Sequence, residues 1–266
     1  GSTVNRQSSQ PVRRLAEELA ARNLFAQVSA AFDLEEPGIE KVPSIDAPRI
    51  FVVSITVSAG RFTEETIPLR LGLSVAGQPD YDRVQEINGR QVIYCHPIGT
   101  HLGMTQVLLK RAHSIVTQHP FPHTPKPTET ALFIAGHGTR KNKNSRKSIE
   151  AQVDLIRARS EYADIQPAFI EEAPFIADCY TATEARHMVV VPFFISEGLH
   201  SLEDIPILLG EPEAAVKERL AAGHPTWSNP TQRNGKLVWY TQAIGNEPDL
   251  QEIVLERVRE MTKGGQ

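Results

Sequence analysis

Two histidines stand where α/β proteins commonly form their sites. His137 follows the apolar run ALFIAG, and His200 closes the segment MVVVPFFISEGLH. Each run is typical of a strand buried in a parallel sheet, and each is followed by residues that can start a helix. Sites in open α/β sheets form at the carboxyl ends of the strands. Two imidazoles at that edge could bind one divalent metal ion.

A carboxylate could complete such a site. Glu171 lies in the segment AFIEEAPFI, after a third predicted strand. Two imidazoles and one carboxylate suit Zn, Co, Ni or Fe, so we take His137, His200 and Glu171 as candidate metal ligands and catalytic residues. Two alternatives stay open: Glu172 could exchange roles with Glu171, and a single His or Glu at a strand end often makes only local contacts.

A basic run after His137 favours an anionic substrate. The stretch RKNKNSRK (140–147) includes Arg140, Lys141 and Lys143. It covers a loop and a predicted helix start, where the helix dipole disfavours each cation by about 0.3–1 kcal/mol. Charges in an unfavourable position beside candidate ligands indicate substrate binding by these three residues. An ordinary solvated loop is the alternative.

His96 and His101 are weaker candidates for substrate contact. They follow the last predicted strand of the first half of the chain, next to Cys95. Cys95 and Cys179 are the only cysteines, which does not suggest a disulfide scaffold.

The composition argues against several classes of protein. The 266 residues carry a net charge of -4, from 28 Lys and Arg against 32 Asp and Glu, so no overall basic charge points to nucleic acid. We find neither a membrane-spanning run nor a signal-peptide pattern. We therefore expect a cytoplasmic protein that binds no nucleic acid and no membrane, as a monomer or a homodimer.

The elements that position these residues repeat along the chain. Matching positions are Phe32 with Phe169, Pro37 with Pro174, Gly60 with Gly198, and segment 88–99 with 234–245. Apolar, Gly and Pro positions agree together, which indicates two copies of one supersecondary unit.

Each copy alternates strands with helices, which predicts a parallel sheet with right-handed crossovers. Strands are predicted near 26–32, 49–57, 90–96, 131–136, 164–170, 187–195 and 236–242. Helices are predicted over 9–23, 35–43, 64–74, 101–117, 145–160, 173–184, 203–221 with a break near Gly210, and 248–262.

The predicted fold class is α/β, with two duplicated lobes that each hold a mainly four-stranded parallel sheet flanked by helices. The N-terminal lobe covers 1–117 and the C-terminal lobe 131–266. A proline-rich connector, 118–130, lies between them. The first lobe lacks its opening strand, because the counterpart of ALFIAG would precede Gly1.

The two copies differ at the candidate ligands. His200 is matched by Phe62, and Glu171 is matched by Leu34. Scaffold positions should agree between copies, whereas a site that is present once should not. We therefore expect one working site, in the C-terminal lobe, and a degenerate one in the N-terminal lobe.

The segments LFIAGHGTR, AFIEEAPFI and VVVPFFISEGLHSLEDIP resemble the sirohydrochlorin chelatases, the class II tetrapyrrole chelatases of cobalamin and sirohaem synthesis. The resemblance implies flavodoxin-like, chelatase-like lobes and insertion of cobalt or ferrous iron into sirohydrochlorin. It also implies metal binding by His137 and His200, with Glu171 as the acidic partner. The chain departs from the family pattern in having Gly136 where Ala is more usual and Thr139 where Ser is.

The resemblance implies a tetrapyrrole substrate and a divalent metal, Co or Fe, as the second substrate, with no tightly bound cofactor. Neutral imidazole binds metal, so binding should weaken as the pH falls below about 6.5. Two other functions stay open at this point. One is a non-catalytic tetrapyrrole- or metal-binding protein with the same fold, and the other is an unrelated metal-dependent hydrolase.

Overall fold

The computed structural model describes residues 6–78, 80–139, 143–159 and 161–263. The chain divides into two compact units. Unit 1 comprises Gly1–His101 and Gly245–Gln266, and unit 2 comprises Leu102–Ile244.

The described residues form the following regular elements. The strands are β1 (Arg49–Val52), β2 (Val84–Ile87), β3 (Arg90–Tyr94), β4 (Thr130–Gly136), β5 (Asp164–Phe169), β6 (His187–Pro192), β7 (Thr231–Arg233) and β8 (Lys236–Tyr240). The α-helices are α1 (Gln10–Ala20), α2 (Ile67–Leu71), α3 (Met104–Gln118), α4 (Lys143–Arg157), α5 (Ile205–Leu208), α6 (Glu213–Ala221) and α7 (Leu250–Lys263).

Unit 2 is built on a sheet with the strand order β5-β4-β6-β8-β7. The first four strands pair in parallel, and β7 pairs antiparallel with β8. The register aligns Gly136 with Phe169, and Ala135 with Pro192, so β4, β5 and β6 end at the same edge. The parallel sheet predicted for this lobe is confirmed, and its edge presents the segments that carry the candidate ligands.

Both faces of this sheet are covered, which explains why β4 is apolar without alternation. Ala131, Phe133 and Ala135 pack into one cluster with Trp227 and Ile205. Helices α3 and α4 lie against the sheet strands and against each other. The strand residues are buried along the whole length of β4, so the end of β4 is held rigidly.

Unit 1 has in its described residues a three-stranded sheet, β1-β3-β2. Strands β1 and β3 are parallel, and β2 is antiparallel to β3. The prediction of a strand over 26–32 is wrong, since only a Phe32–Gly38 bridge forms there. In unit 2 the matching strand, β5, pairs with β4 alone. The described residues of the first copy contain no counterpart of β4, so segment 26–32 has no partner strand among them.

Two predicted helices are also wrong. Segments 35–43 and 173–184 contain only the short 3₁₀ turns Ile39–Ser44 and Ile176–Asp178. In the second segment Ile176 and Cys179 are nearly fully buried while most of their neighbours are exposed. Two buried apolar side chains are too few to stabilise a full helix over segment 173–184.

The repeat predicted from the sequence is present in the backbone. Asn88-Gly89 and Asn234-Gly235 both have positive φ and turn the β2–β3 and β7–β8 hairpins, as Asn-Gly favours. Each copy also has a π-helical turn before a short α-helix, at Phe62–Thr66 and at His200–Asp204. The strands β2 and β7 are short and partly polar, and the prediction misses both.

Each compact unit contains the last helix of the other copy. Helix α3 ends the first copy but belongs to unit 2, and helix α7 ends the second copy but belongs to unit 1. Arg111 on α3 donates to the Ala243 carbonyl at 3.0 Å, and Arg257 on α7 donates to the matching Pro97 carbonyl at 2.9 Å. The same contact is therefore made twice, with exchanged helices.

Among the residues that the structure describes, no helix is both long and apolar enough to cross a lipid bilayer.

Candidate metal-binding site

The first candidate ligand directly follows β4. The Nδ1 atom of His137 lies 2.6 Å from the Gly138 carbonyl oxygen, so the hydrogen is on Nδ1 and the lone pair is on Nε2. Gly138 has φ +64, and a Cβ there would lie 2.8 Å from Phe169 Cβ. Only glycine fits this turn without strain, and the turn aims His137 across the strand ends.

The second candidate ligand opens the π-helical turn after β6. The Nδ1 atom of His200 donates to Asp204 Oδ2 at 2.6 Å, which again leaves the lone pair on Nε2. The two residues are about half exposed, with His200 at 45% and Asp204 at 41% of their side chains. The sequence analysis missed Asp204. Two features of the sequence could have identified Asp204: it lies four residues after His200, and the first copy has Thr66 instead of an acidic residue at the matching position.

The structure brings the two imidazoles together. Their ring centres are 4.7 Å apart and their planes are 80° apart, while the Phe194 ring lies 5.9 Å from that of His200. One ion bound at about 2.0–2.1 Å to both Nε2 atoms would place the ring centres roughly 4.5–5.2 Å apart for bond angles between 90° and tetrahedral. The observed separation fits a shared ion.

Glu171 lies beside this pair. Its Oε1 atom is 3.5 Å from His137 Nε2, and its side chain is 53% exposed. Within the described part of the chain, no three His, Cys, Asp or Glu side chains already stand around one point as metal ligands. The arrangement is therefore an open pair of nitrogens with an exposed carboxylate next to them, and not a closed structural site.

Glu172 has a different role from Glu171. It accepts a hydrogen bond from the Thr139 amide at 3.0 Å, contacts Arg146 at 3.4 Å, and is 15% exposed. In the first copy Arg13 contacts the matching Glu35 at 3.1 Å. Arg13 matches Glu150 and not Arg146 in the repeat, but an arginine of the preceding helix contacts this glutamate in both copies. This favours a scaffold role for Glu172 and leaves Glu171 as the candidate that faces the imidazoles.

The turn that carries His200 is fixed by a second carboxylate. Glu197 accepts hydrogen bonds from Ser201 Oγ at 2.7 Å and from the Ala243 amide at 2.6 Å. The buried hydroxyl of Tyr240 donates to the Ser201 carbonyl at 2.7 Å. Desolvation raises the pKa of Tyr240 well above its ordinary value, so this phenol remains a donor and the turn remains anchored.

Part of the predicted anion-binding run can be located. Arg140 and Lys141 lie outside the described residues, and Lys143 begins α4. Arg146 is occupied with Glu150 and Glu172. Arg146 thus has a structural role, and substrate binding by the other three stays a prediction.

His96 and His101 belong to unit 1. His96 is exposed, and partial desolvation together with Arg83 and Arg257 lowers its pKa. His101 Nε2 lies 3.1 Å from Glu256 and 3.6 Å from Glu260 on α7. Desolvation and Arg257 also lower the pKa of His101, so its ring is neutral at physiological pH. Its contacts with α7 indicate a structural role, and substrate contact by either histidine stays a prediction.

Comparisons with known proteins match nearly the whole chain. The family model CbiX matches residues 1–115 and 131–261. The "Probable sirohydrochlorin cobaltochelatase" of Halobacterium salinarum is 31% identical over 289 residues, with 99% of this chain and 94% of that protein covered. The "Sirohydrochlorin cobaltochelatase" of Methanopyrus kandleri is 29% identical over 138 residues, which are 49% of this chain and 95% of that protein.

Solved structures support the same fold. SirB from Bacillus subtilis, described with Fe3+, superposes with a TM-score of 0.70 at 17% identity and covers 100% of this chain and 94% of its own. DR2241 from Deinococcus radiodurans, described as similar to chelatases, superposes with a TM-score of 0.73 at 24% identity, covering 97% of this chain and 52% of its own.

Proposed function

We infer from these matches, which show that the chain belongs to the CbiX family, that it is a chelatase. It inserts a divalent metal ion, cobalt or ferrous iron, into sirohydrochlorin or a related tetrapyrrole of cobalamin or sirohaem synthesis. The observation that carries this proposal is the convergence of His137 and His200, whose ring centres are 4.7 Å apart at the carboxyl edge of a sheet of this family.

The first step is to hold the metal ion loosely. Both imidazoles donate their Nδ1 hydrogens to oxygen atoms of the protein, so each offers Nε2 to the ion. Two nitrogen ligands leave the remaining coordination positions free. Pyrrole nitrogens of the substrate can enter those positions and draw the ion away from the protein.

The second step is the removal of two pyrrole protons. The metal ion replaces both N–H hydrogens, so the reaction releases two protons and involves no change of oxidation state. Glu171 is the nearest carboxylate to His137 Nε2, at 3.5 Å. It accepts a proton as the ion leaves, and its exposure lets it pass that proton to water.

The substrate carries several carboxylates. We assign Arg140, Lys141 and Lys143 to binding them, since Arg–carboxylate and Lys–carboxylate hydrogen bonds are strong and specific. His96 and His101 are proposed as further substrate contacts. The proposal needs no tightly bound cofactor, because the metal is a substrate. A cytoplasmic location and a monomeric or homodimeric state stay predictions.

The experiment is metal insertion under anaerobic conditions. Catalytic amounts of protein should accelerate the absorbance change of sirohydrochlorin with Co²⁺ or Fe²⁺, and the ratio of the two rates identifies the preferred metal. Binding of sirohydrochlorin without acceleration would instead establish the non-catalytic tetrapyrrole-binding protein. Ester or amide hydrolysis without tetrapyrrole binding would establish the hydrolase.

His200→Phe is the most informative variant. The first copy has Phe62 at the same place in the same π-helical turn, so the turn tolerates phenylalanine. We expect insertion to fall to the uncatalysed rate while the unfolding temperature changes little. His224→Phe, which alters an exposed histidine of the same unit, is the control and should keep full activity. Full activity in His200→Phe would remove this residue from the site.

A further inference from the structure

We propose that Asp204 is the positioning residue that holds the metal-binding ring of His200. The carboxylate accepts the His200 Nδ1 hydrogen at 2.6 Å. Nothing in the insertion chemistry described above requires this residue to touch the metal or the tetrapyrrole. It acts through His200, by fixing which ring nitrogen carries the hydrogen and where the other one points.

The local backbone is suited to this contact. His200–Asp204 is a single turn of π-helix, which is wider than an α-helical turn and frequently marks a functional site. Residues four apart on this turn lie nearly above one another, so the carboxylate reaches Nδ1 while the ring edge with Nε2 is left free. Because Nδ1 is occupied, only Nε2 can bind an ion.

The internal repeat supplies independent support. The matching turn of the first copy, Phe62–Thr66, is also π-helical. It has Phe62 in place of His200 and Thr66 in place of Asp204. The backbone turn does not depend on the carboxylate, since it forms without one. The carboxylate is present only in the copy that has a histidine to hold.

The neighbouring carboxylate shows the contrast. Glu203 precedes Asp204 in the same turn, and its match in the first copy is Glu65. Its carboxylate lies 3.8 Å from the Lys217 ammonium group. Glu203 is therefore a scaffold or surface residue, and it provides a matched control for removing one negative charge from this turn.

A carboxylate on the second nitrogen of a metal-binding imidazole fixes the ring and increases its basicity, and losing it lowers metal affinity by about 10- to 100-fold. We therefore expect Asp204→Asn to raise the Kd for Co²⁺, measured on the full chain without tetrapyrrole by the visible absorption of bound cobalt. In insertion assays the KM for Co²⁺ should rise while that for sirohydrochlorin stays near its wild-type value. Glu203→Gln should change neither constant by more than about twofold, because it removes only a long ion pair with Lys217, at 3.8 Å, and such pairs contribute little.

A second measurement reports on the ring itself. In the metal-free protein, ¹⁵N chemical shifts of His200 should show the hydrogen on Nδ1, and Asp204→Ala should populate the other tautomer. A merely structural role for Asp204 would leave this signature unchanged. Wild-type cobalt affinity and an unchanged cobalt spectrum in Asp204→Asn would overturn the inference, as would a wild-type His200 ring protonated on Nε2.

The inference rests on the proposed function only in taking a metal ion as the ligand of His200. Wild-type protein that binds Co²⁺ without inserting it would contradict the proposed function and would leave the affinity comparison of Asp204→Asn with Glu203→Gln valid. Wild-type protein that does not bind Co²⁺ at all would overturn both.

Discussion

Alanine at position 136 tests how tightly the turn that carries His137 is packed. Gly136 is the last residue of β4, and a Cβ there would lie 2.1 Å from the Cδ1 atom of Ile149 on α4. Ile149 is 2% exposed, so its side chain has little room to move. Overpacking of a core typically costs about 1–3 kcal/mol, and we expect Gly136→Ala to lower the free energy of unfolding by that amount.

The clash involves one methyl group, which Ile149→Val removes. That change alone leaves a small cavity and should cost about 0.5–1.5 kcal/mol. In the double variant the new Cβ fills part of the space that Cδ1 vacates, because the next nearest atom, Ile149 Cγ1, is 3.4 Å away. The double variant should therefore be more stable than the sum of the single changes predicts, by about 1 kcal/mol or more.

Urea unfolding of the four proteins measures this coupling, and Co²⁺ binding by the same proteins measures its effect on the site. Gly136→Ala pushes the end of β4 away from α4 and should weaken cobalt binding through His137, and Ile149→Val should restore it in the double variant. Additive effects, with a coupling below about 0.5 kcal/mol, would refute the claim that Gly136 and Ile149 are tightly packed against each other.

Two further predictions separate chemistry from scaffold. Glu171→Gln should slow metal insertion without changing the unfolding temperature. Glu172→Gln should lower the unfolding temperature, because Glu172 binds the Thr139 amide and Arg146. Thermal unfolding and insertion-rate assays that show the reverse pattern would exchange the roles of the two residues. The pKa of His101 is lowered by desolvation and by Arg257, so the folded protein binds this proton less readily than the unfolded chain, whose histidines titrate near 6.5. The neutral His101 ring should therefore contribute its full stabilisation above about pH 6.5, and this stabilisation should be lost as the pH falls through the lower pKa of the folded state. The free energy of unfolding of His101→Gln should depend less on pH between these two pKa values. An unchanged pH dependence would contradict the lowered pKa of His101.

The sequence predicts those parts of the fold that rest on continuous burial. Strands β4 and β6 are apolar after their first residue, because helices or turns cover both sheet faces, and their positions follow from that pattern. Strands β2 and β7 are short, and β2 alternates exposed with partly buried residues. Only the Asn-Gly pairs mark their hairpins, so the apolar pattern alone does not predict them.

The candidate ligands are predictable for a related reason, whereas their partners are not. His137 directly follows β4 and Glu171 lies two residues after the end of β5. These parallel strands end at a common edge. Asp204 depends on a π-helical turn, which has no sequence signature comparable to an apolar run. The choice between Glu171 and Glu172 depends on which side of β5's end each faces, and the structure supplies that information through the Thr139 and Arg146 contacts.

The duplication separates the scaffold from the site by a physical criterion. Contacts that both copies make must serve the fold, because only one copy has the two histidines and the acidic residues around them. The hydroxyls of Tyr94 and Tyr240 each donate to the carbonyl of the second residue of a π-helical turn, at 2.7 Å.

Several contacts that only the second copy makes lie around the two candidate histidines. They involve His200 with Asp204, Glu171 with His137, and Glu197 with Ser201. The matching residues of the first copy include Phe62, Leu34 and Ala59, none of which can bind a metal or accept a proton. Polar groups at positions where the first copy has apolar ones support the proposal of a metal site at this pair of imidazoles.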